Sequence, residues 1–390
     1  MTVHRSVRGG KNLRRSIELL SELVGFETIS ADSNLELIAH VEGLLAKLGH
    51  QAIRVASEDG KKANLYATIG PLDKPGIMLS GHTDVVPVEG QNWRSDPFKL
   101  TPVDDRLAGR GAVDMKGFIA CCLALIERLD ADRLHTPIHL ALSYDEEVGC
   151  LGIRRLITML GDQPIRPRFC LVGEPTGMQI VTAHKGKFSY RLDCSGQAFH
   201  SSLAPLAKNA IHTAVDFCQF LRELQTEIEA GWARDGDYDV PYTTVHMGVI
   251  QGGAALNIVP DHCSLLFEFR FLPEDPIDEL KARIFNKAED LAKVSGMPVV
   301  CTELSGYSGL ATPPDSELVA FMKSVSGGNS LGKISFGTEA GLISHDLGVP
   351  AVVCGPGSIA RAHKADEYIT VDEMAACDAM LDRLAARLID

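Results

Sequence analysis

The sequence lacks the paired cysteines that mark structural metal sites and redox motifs. Its ten cysteines are scattered, mostly within apolar segments, and no two of them form a CxxC pair. This spacing excludes a zinc ribbon and a thioredoxin-like motif, and a chain of this length needs no disulfide framework to hold a core. We therefore predict buried, reduced thiols in a cytoplasmic protein.

The sequence also lacks an excess of basic residues and any long apolar run. It has 38 Lys and Arg residues against 51 Asp and Glu residues, a formal charge of −13, which argues against nucleic acid and membrane surfaces as partners. The longest apolar run, near Ile119–Ile126, is far too short to span a bilayer. The basic N-terminal segment, residues 1–15, precedes no apolar stretch and so predicts no secretory signal.

Length and patterning predict an interrupted α/β protein. With 390 residues, 45% of them hydrophobic, the chain is long enough for two or three domains. Short apolar strands alternate with helical patterns over residues 1–182, which is typical of an α/β domain with a mixed central sheet. Residues 183–303 show strands and two long helices in a β–α–β–β–α order, which predicts an inserted α+β, ferredoxin-like domain. The α/β pattern resumes over residues 304–390.

Individual elements follow from the same patterns. Ala207–Glu229 has a helical pattern, and His262–Phe271 alternates apolar and polar residues, as does a strand with one solvated face. A further strand is predicted at Ile334–Phe336, and a final helix begins at Asp372.

Five short segments carry ionisable residues where apolar strands end. Ligand sites in open α/β sheets form at the carboxyl ends of strands, so these segments are predicted to converge. The segments are Ser80–Pro87, Gly109–Gly117, Ser143–Gly149, Val172–Thr176 and Gly355–Tyr368.

The residue types in these segments indicate a pair of catalytic metal ions. Three successive acids, Asp145, Glu146 and Glu147, repel one another unless cations compensate them. Two imidazoles and three carboxylates suit two Zn²⁺ ions with one carboxylate bridging, and the absence of thiolates indicates a catalytic site. Taken alone, each residue also fits an ordinary exposed group at a strand end. The candidate ligands are His82, Asp114, Glu147, Glu174 and His363.

Two residues beside these ligands have predicted roles of their own. His82 and Asp84 share one face of a strand, so Asp84 can accept the proton on the far nitrogen of the imidazole and fix its tautomer. Glu146 remains spare beside Glu147, and adjacent residues point in different directions, so it can face a water at the metals. A dinucleotide-binding loop is excluded, because GxGxxG requires glycine where Asp114 stands.

The chain resembles the co-catalytic metallo-deacylase and exopeptidase family that includes acetylornithine deacetylase, succinyl-diaminopimelate desuccinylase and carboxypeptidase G. The resemblance runs from about Ser16 to the C-terminus. It is strongest to the acetylornithine deacetylase branch, because the desuccinylases carry a Ser-Asp segment where this chain has FGTEAG. The motifs that carry it are SGHTDVVPVEGQNWRSDPF, GAVDMKGF, GEPT followed by AHKGK, FGTEAG and GPGSIARAHKADEYI.

The resemblance implies a role for each residue of the predicted centre. Asp84 would orient the first imidazole, and Glu146 would be the general base. The implied metal ligands are His82 with Glu174 on one ion and Glu147 with His363 on the other, bridged by Asp114.

The resemblance also implies that the inserted domain acts as a lid and joins two chains in a homodimer. His200 would reach the partner's active site and polarise the scissile carbonyl, Asn257 would contact the same region, and Arg270 would bind the substrate α-carboxylate. The ordinary alternatives are a surface histidine, a turn residue and a solvated charge. Glu339 is a candidate for contact with substrate or with residues that support the site; its alternative is a helix N-terminal acid.

The implied activity is metal-dependent hydrolysis of an N-acyl amide, above all N2-acetyl-L-ornithine, in arginine biosynthesis. The alternative within the family is another N-acyl amino acid, such as N-succinyl-diaminopimelate. A serine hydrolase would need a GxSxG motif, which the sequence lacks, and a metal-stabilised scaffold has no use for the spare Glu146. Zn²⁺ is the implied metal, and Co²⁺ or Mn²⁺ fit the same ligands. The chain departs from the family pattern at Leu203–Ile211 and Ala360–Arg361, which bears on substrate preference.

Overall fold

The computed structural model describes residues 10–389, which divide into two compact units. The first unit contains the chain up to Ala183, together with Leu310–Lys333 and the residues from Thr338 onward. The second unit contains His184–Gly309 and Ile334–Gly337, and so lies within the sequence of the first. Residues 1–9 of the basic N-terminal segment lie outside the described residues.

Both units combine strands and helices. The strands are β1 (Ala52–Ala56), β2 (Ala63–Ile69), β3 (Ile77–His82), β4 (Thr101–Val103), β5 (Arg106–Ala108), β6 (Ile138–Ser143), β7 (Phe169–Pro175), β8 (Ile180–His184), β9 (Gly186–Ser195), β10 (Thr244–Gly252), β11 (His262–Phe271), β12 (Val299–Tyr307), β13 (Leu310–Ala311), β14 (Leu331–Ile334), β15 (Ala351–Gly355) and β16 (Tyr368–Thr370). The helices are α1 (Lys11–Val24), α2 (Leu35–Lys47), α3 (Gly117–Arg128), α4 (Ile153–Gly161), α5 (Ala210–Gly231), α6 (Ile277–Ser295), α7 (Glu317–Ser326), α8 (Glu339–Asp346) and α9 (Val371–Ile389). Among residues 10–389, no helix has the length and apolar character needed to cross a membrane.

A mixed sheet of nine strands forms the centre of the first unit. Its strand order is β1-β2-β6-β3-β7-β15-β8-β13, with β14 pairing with β8. The four middle strands, β6, β3, β7 and β15, run parallel to one another, whereas β2 and β8 are antiparallel to the strands beside them. Every residue of these four strands is buried. Burial on both faces explains why the sequence shows them as continuous apolar runs rather than alternating ones.

Helices pack closely on this sheet. Helices α1, α3 and α9 contact one another, and α3 is buried along most of its length. A Cβ atom at Gly173 of β7 would stand 2.0 Å from the ring of Phe118 in α3, so only glycine permits this approach. This contact fixes the position of α3 directly beside the end of β7, where Glu174 lies.

The second unit is a four-stranded antiparallel sheet with two long helices. Its strand order is β10-β11-β9-β12, and the chain order β9-α5-β10-β11-α6-β12 is the βαββαβ arrangement of a ferredoxin-like unit. Alternate residues of β11, including Phe267 and Phe269, are buried in a core shared with α5 and α6. The predicted fold class, a mixed α/β sheet with a separate α+β unit, is confirmed.

Two predicted elements differ from the structure by more than one residue at a boundary. The helix predicted from Ala207 begins at Ala210, because the side chain of Asn209 caps its first free amides. The strand predicted at Ile334–Phe336 is wrong, since β14 ends where that prediction begins. The residues after β14 turn the chain into α8, whose N-terminus is capped by the side chain of Thr338.

Candidate metal centre

Four parallel strands bring the predicted segments to one edge of the central sheet. β3 ends at His82, opposite Ser143 at the end of β6, and Gly355 at the end of β15 lies opposite Pro175 at the end of β7. Because parallel strands end at the same edge, the residues that end or follow them gather there. The predicted ligands supplied by these four strands are His82, Glu147, Glu174 and His363.

Asp114 reaches the same edge by a different route. The sequence predicts Asp114 after an apolar strand, in a loop that leads into the helix at Gly117; the loop is present, but the strand before it, β5, belongs to a small separate sheet, β16-β5-β4. Asp114 lies in an irregular turn, Ala112–Lys116, directly before α3. The backbone amides of Val113 and Asp114 donate to one carboxylate oxygen of Glu367, at 3.0 and 3.2 Å. Sequence reasoning did not identify Glu367, which holds this turn.

Asp114 lies between two imidazoles. Its Oδ1 atom is 3.0 Å from Nε2 of His82, and its Oδ2 atom is 3.3 Å from Nε2 of His363. Each imidazole also meets a second carboxylate: Nε2 of His82 is 3.5 Å from Glu174, and Nε2 of His363 is 3.0 Å from Glu147. The structure therefore brings the five predicted ligands together as two imidazole–carboxylate pairs that share Asp114.

The donor atoms around His82 suit a divalent cation, and the contacts of His363 with Asp114 and Glu147 offer a second position beside it. Two groups of three residues bring one ligand atom each to within 4.8 Å of one another. The first group is His82, Asp114 and Glu147, and the second is His82, Glu146 and Glu174. Imidazole nitrogen and carboxylate oxygen are the usual ligands of catalytic zinc, and neither group contains a thiol. A carboxylate that turns one oxygen towards each imidazole is suited to bridging two ions.

Burial and crowding shift the ionisation of these groups. Burial, reinforced by neighbouring carboxylates, raises the pKa of Glu146 and of Glu174 well above the usual value for glutamate. Hydrogen bonds to Asp114 and Glu147 raise the pKa of His363 to about 10. Metal ligands bind in their deprotonated forms, so binding of a cation here would be coupled to the ionisation of these groups.

Asp84 supports the neighbouring turn rather than the imidazole of His82. Nδ1 of His82 donates to the backbone carbonyl of Asp84 at 2.9 Å, whereas the Asp84 carboxylate is 3.6 Å away. That carboxylate accepts hydrogen bonds from the hydroxyl of Ser30 at 2.7 Å and from the backbone amides of Glu146 and Glu147 at 3.1 and 3.3 Å. The tautomer of His82 is thus set by a backbone oxygen, which differs from the predicted contact.

Asp145, the first of the three successive acids, is neutralised within the protein. Nζ of Lys62 lies 2.6 Å from Oδ1 of Asp145 and also donates to the backbone carbonyl of Ser30. Asp145 has a φ of 55°, which turns the chain sharply before Glu146 and Glu147. Lys62 gives no local signal in the sequence, so the three successive acids do not reveal the cation that neutralises Asp145.

Glu339 lies in the interior beneath the ligands. It is 1% exposed and begins α8. One of its carboxylate oxygens is 3.2 Å from the hydroxyl of Ser80 in β3, and the other accepts a hydrogen bond from the hydroxyl of Ser143 in β6. Burial raises the pKa of Glu339 to about 7. Of its two predicted roles, these contacts favour support of the site over contact with substrate.

His200 and Asn257 lie on adjoining segments of the second unit. Both residues are exposed, and the backbone amide of Ser201 donates to the carbonyl of Asn257 at 2.9 Å. Nδ1 of His200 is 2.8 Å from the hydroxyl of Ser202. Neither residue belongs to the buried core of this unit, so both can meet a ligand or another chain.

Arg270 lies on β11 and is partly buried among residues of its own unit. Its Nε atom donates to Glu268 at 3.0 Å, and Nη1 donates to the hydroxyl of Tyr307 at 3.1 Å. Lys187 contacts the same Glu268 carboxylate at 3.1 Å. The bonds of Arg270 to Glu268 and Tyr307 use two of the five N–H donors of its guanidinium. Arg270 therefore keeps the capacity to bind a further carboxylate.

Comparison with known families gives the same answer as the motifs. The sequence model described as peptidase family M20/M25/M40 matches residues 78–387. The chain belongs to this family. The resemblance inferred from the motifs, to metallo-deacylases and exopeptidases, is therefore confirmed.

Individual relatives of this M20 chain match nearly its whole length. Acetylornithine deacetylase of Myxococcus xanthus is 36% identical over 378 residues, which are 94% of this chain and 96% of that one. The M20 metallo-carboxypeptidase Sso-CP2 of Sulfolobus solfataricus is 20% identical, with a TM-score of 0.77 over 96% of this chain and 99% of that one. A dinuclear metal-binding M20 peptidase of Bacillus subtilis is 13% identical, with a TM-score of 0.67 over 97% and 98% of the two chains. The two structures establish a shared fold.

Metal removal should destabilise this M20 chain. We expect EDTA to lower the thermal unfolding midpoint and Zn²⁺ to raise it, because bound cations offset the repulsion among the carboxylates; a ligand at 100 times its Kd stabilises by about 2.7 kcal/mol. Glu174→Gln should lose much of this gain. In EDTA the same variant should be at least as stable as the wild type, because one repelling carboxylate is absent. Differential scanning calorimetry with and without Zn²⁺ measures both effects.

The matched control is Glu58→Gln, which changes an exposed glutamate outside the centre. It should behave as the wild type does in both conditions. A Zn²⁺-dependent gain in Glu174→Gln as large as that of the wild type would contradict the assignment of Glu174 as a ligand.

Proposed function

We propose that this chain is a zinc-dependent amidohydrolase that converts N2-acetyl-L-ornithine to L-ornithine and acetate, a step of arginine biosynthesis. The observation that carries the proposal is the position of Asp114 between two imidazole–carboxylate pairs. The similarity to proteins named acetylornithine deacetylase, at 36% and 30% identity over 94% and 93% of this chain, supports the substrate. Zn²⁺ suits the donor set, and Co²⁺ or Mn²⁺ accept the same ligands.

Glu146 would be the residue that moves the proton. One of its carboxylate oxygens lies within 4.8 Å of ligand atoms of His82 and Glu174, and its backbone amide is held by Asp84. Bound cations would polarise the acyl carbonyl and bring the pKa of a water from ~15.7 towards ~7. Glu146 would take a proton from this water while the oxygen of the water forms a bond to the acyl carbon. Glu146 then returns the proton to the amine nitrogen as the C–N bond breaks.

The second unit would supply substrate recognition and an interface. We propose that it acts as a lid and joins two chains in a homodimer. His200 of the partner subunit would polarise the scissile carbonyl, Asn257 would contact the same region, and Arg270 would bind the α-carboxylate. The exposure of His200 and Asn257, together with the remaining donors of Arg270, supports these roles.

We place this reaction in the cytoplasm, with a small N-acyl amino acid as the partner and neither nucleic acid nor a membrane. Within residues 10–389 all ten cysteines are free, and eight of them are buried. A protein with this many unpaired thiols suits a reducing compartment. The formal charge of −13 opposes binding to polyanionic surfaces.

The second candidate is a deacylase or exopeptidase that acts on another N-acyl amino acid. Solved structures with this fold include an aminopeptidase and a metallo-carboxypeptidase, which hydrolyse other amide bonds. Steady-state kinetics with Zn²⁺ at a defined concentration would compare N2-acetyl-L-ornithine, N-succinyl-diaminopimelate, several N-acetyl amino acids and short peptides. We expect the highest kcat/KM for N2-acetyl-L-ornithine. A higher kcat/KM for a succinylated substrate or a peptide would reject the proposed substrate while leaving the hydrolase assignment intact.

Substitution of the proposed base should separate metal binding from turnover. We expect Glu146→Gln to retain wild-type Zn²⁺ content while kcat falls about 10²–10⁴-fold, because the amide cannot accept a proton. Metal analysis and kcat would be measured on the same preparation, with Glu58→Gln as the control. Retention of more than a few per cent of wild-type kcat would show that another group is the base.

Subunit complementation tests the role proposed for His200. His200→Ala chains would be mixed with Glu146→Gln chains under conditions that exchange subunits. If His200 acts in the partner's site, the mixed dimer contains one site with both functional residues, and activity should recover in part. Mixed dimers as inactive as either parent would argue that His200 acts within its own chain or not at all.

A further inference from the structure

The loop that follows β3 contacts the backbone of the segment that carries His363. Nε2 of Gln91 donates to the carbonyl oxygen of His363 at 3.1 Å. Three residues on, the backbone amide of Arg94 donates to the carboxylate of Asp366 at 2.9 Å. The segment after β15 is thus attached at two points to a loop distant from it in sequence.

The side-chain amide of Gln91 is held in one orientation. Its Oε1 atom accepts hydrogen bonds from Nη2 of Arg110 at 2.6 Å and from Nε1 of Trp93 at 3.1 Å. An amide oxygen can only accept and an amide nitrogen can only donate, so these two donors fix which end of Gln91 faces them. The NH₂ group must therefore face the carbonyl of His363.

Arg110 connects this contact to Asp114. Arg110 and Glu367 are each 1% exposed, and Nη1 of Arg110 donates to Oε2 of Glu367 at 2.6 Å. The other oxygen of Glu367 accepts the backbone amides of Val113 and Asp114. One buried guanidinium thus reaches Asp114 through Glu367 and His363 through Gln91.

His363 depends on such an external support. Its φ of 62° lies in the left-handed region that residues with a Cβ atom rarely adopt. Its side chain is 50% exposed, so packing contributes little to its position. The bond from Gln91 to its carbonyl acts directly on this backbone.

We propose that Gln91, held in its orientation by Arg110, is a positioning residue that sets His363 against Asp114 and thereby controls binding at the metal position formed by His363 and Glu147. The proposal rests on the two-metal centre of the proposed function. Groups that orient metal ligands commonly change metal affinity 10–100-fold when they are lost. The position formed by His82 and Glu174 has no hydrogen bond to Gln91 among those in the described residues, so it should keep its affinity.

The test is a titration of the metal-free full-length chain with Zn²⁺ by isothermal calorimetry. We expect two ions per wild-type chain. Gln91→Leu should bind one ion with wild-type affinity and the other about 10–100-fold more weakly. Gln163→Leu, a matched change of an exposed glutamine after α4, should bind both ions as the wild type does. Fewer than two ions in the wild type would reject the proposed two-metal centre itself.

A second variant removes the hydrogen bond from Gln91 to His363 while keeping the hydrogen bond from Arg110 to residue 91. Gln91→Glu keeps an acceptor for Arg110 and Trp93, so we expect the fold to be preserved, but it replaces the donor to His363 by a second acceptor. It should show the same weakened ion as Gln91→Leu. Two ions of wild-type affinity in Gln91→Glu and in any folded Gln91→Leu would overturn the proposal, and circular dichroism would verify folding.

Paired variants identify which metal position is affected. In a Glu174→Gln background, the remaining ion binds His363 and Glu147, so adding Gln91→Glu should weaken it about 10–100-fold. In a Glu147→Gln background, the remaining ion binds His82 and Glu174, and adding Gln91→Glu should change its affinity by no more than about twofold. Equal effects in the two backgrounds would mean that Gln91 acts on the whole centre, and the proposal would fail.

Discussion

The rest of the first unit is organised around one electrostatic constraint, the gathering of several carboxylates with two imidazoles at a single sheet edge. Carboxylates in a poorly hydrated site cannot all remain ionised without compensating charge. The protein compensates the outer ones: Lys62 pairs with Asp145, Arg110 pairs with Glu367, and Asp84 receives a hydroxyl and two backbone amides. The inner carboxylates face imidazoles instead, and two divalent cations there would complete the balance.

The fold and the positions of the candidate ligands are predictable because each leaves a local pattern in the sequence. Continuous apolar runs identify parallel strands buried on both faces, and such strands end at a common edge. An ionisable residue at the end of such a run, such as Glu174, or a few residues beyond it, such as Glu147, can therefore be placed at that edge without any long-range information. The alternating pattern of β11 identifies the second sheet in the same way. The family resemblance adds roles, which no spacing in the sequence supplies.

The supporting contacts are not predictable, because each joins segments far apart in the chain. Gln91 and His363 are separated by 272 residues, and Arg110 and Glu367 by 257. Glutamine in a loop has no pattern that distinguishes it from a solvated residue. The strand predicted at Ile334–Phe336 fails for a different, local reason: its apolar residues suit a strand, but the chain must turn there because Thr338 caps α8 directly afterwards. The partner of Asp84 is likewise decided by where Glu146 and Glu147 fold.

The order of the ligands along the chain has a consequence for biosynthesis. Four candidate ligands, from His82 to Glu174, precede the second unit, and His363 follows it. Translation proceeds from the N-terminus, so the ribosome completes the acidic half of the centre 363 − 174 = 189 residues before the last imidazole is made. During that interval the nascent chain contains Asp114, Glu147 and Glu174 but only one of the two candidate ligand imidazoles, that of His82. A two-metal centre of this composition could therefore be completed only after the whole of the second unit and His363 have been translated.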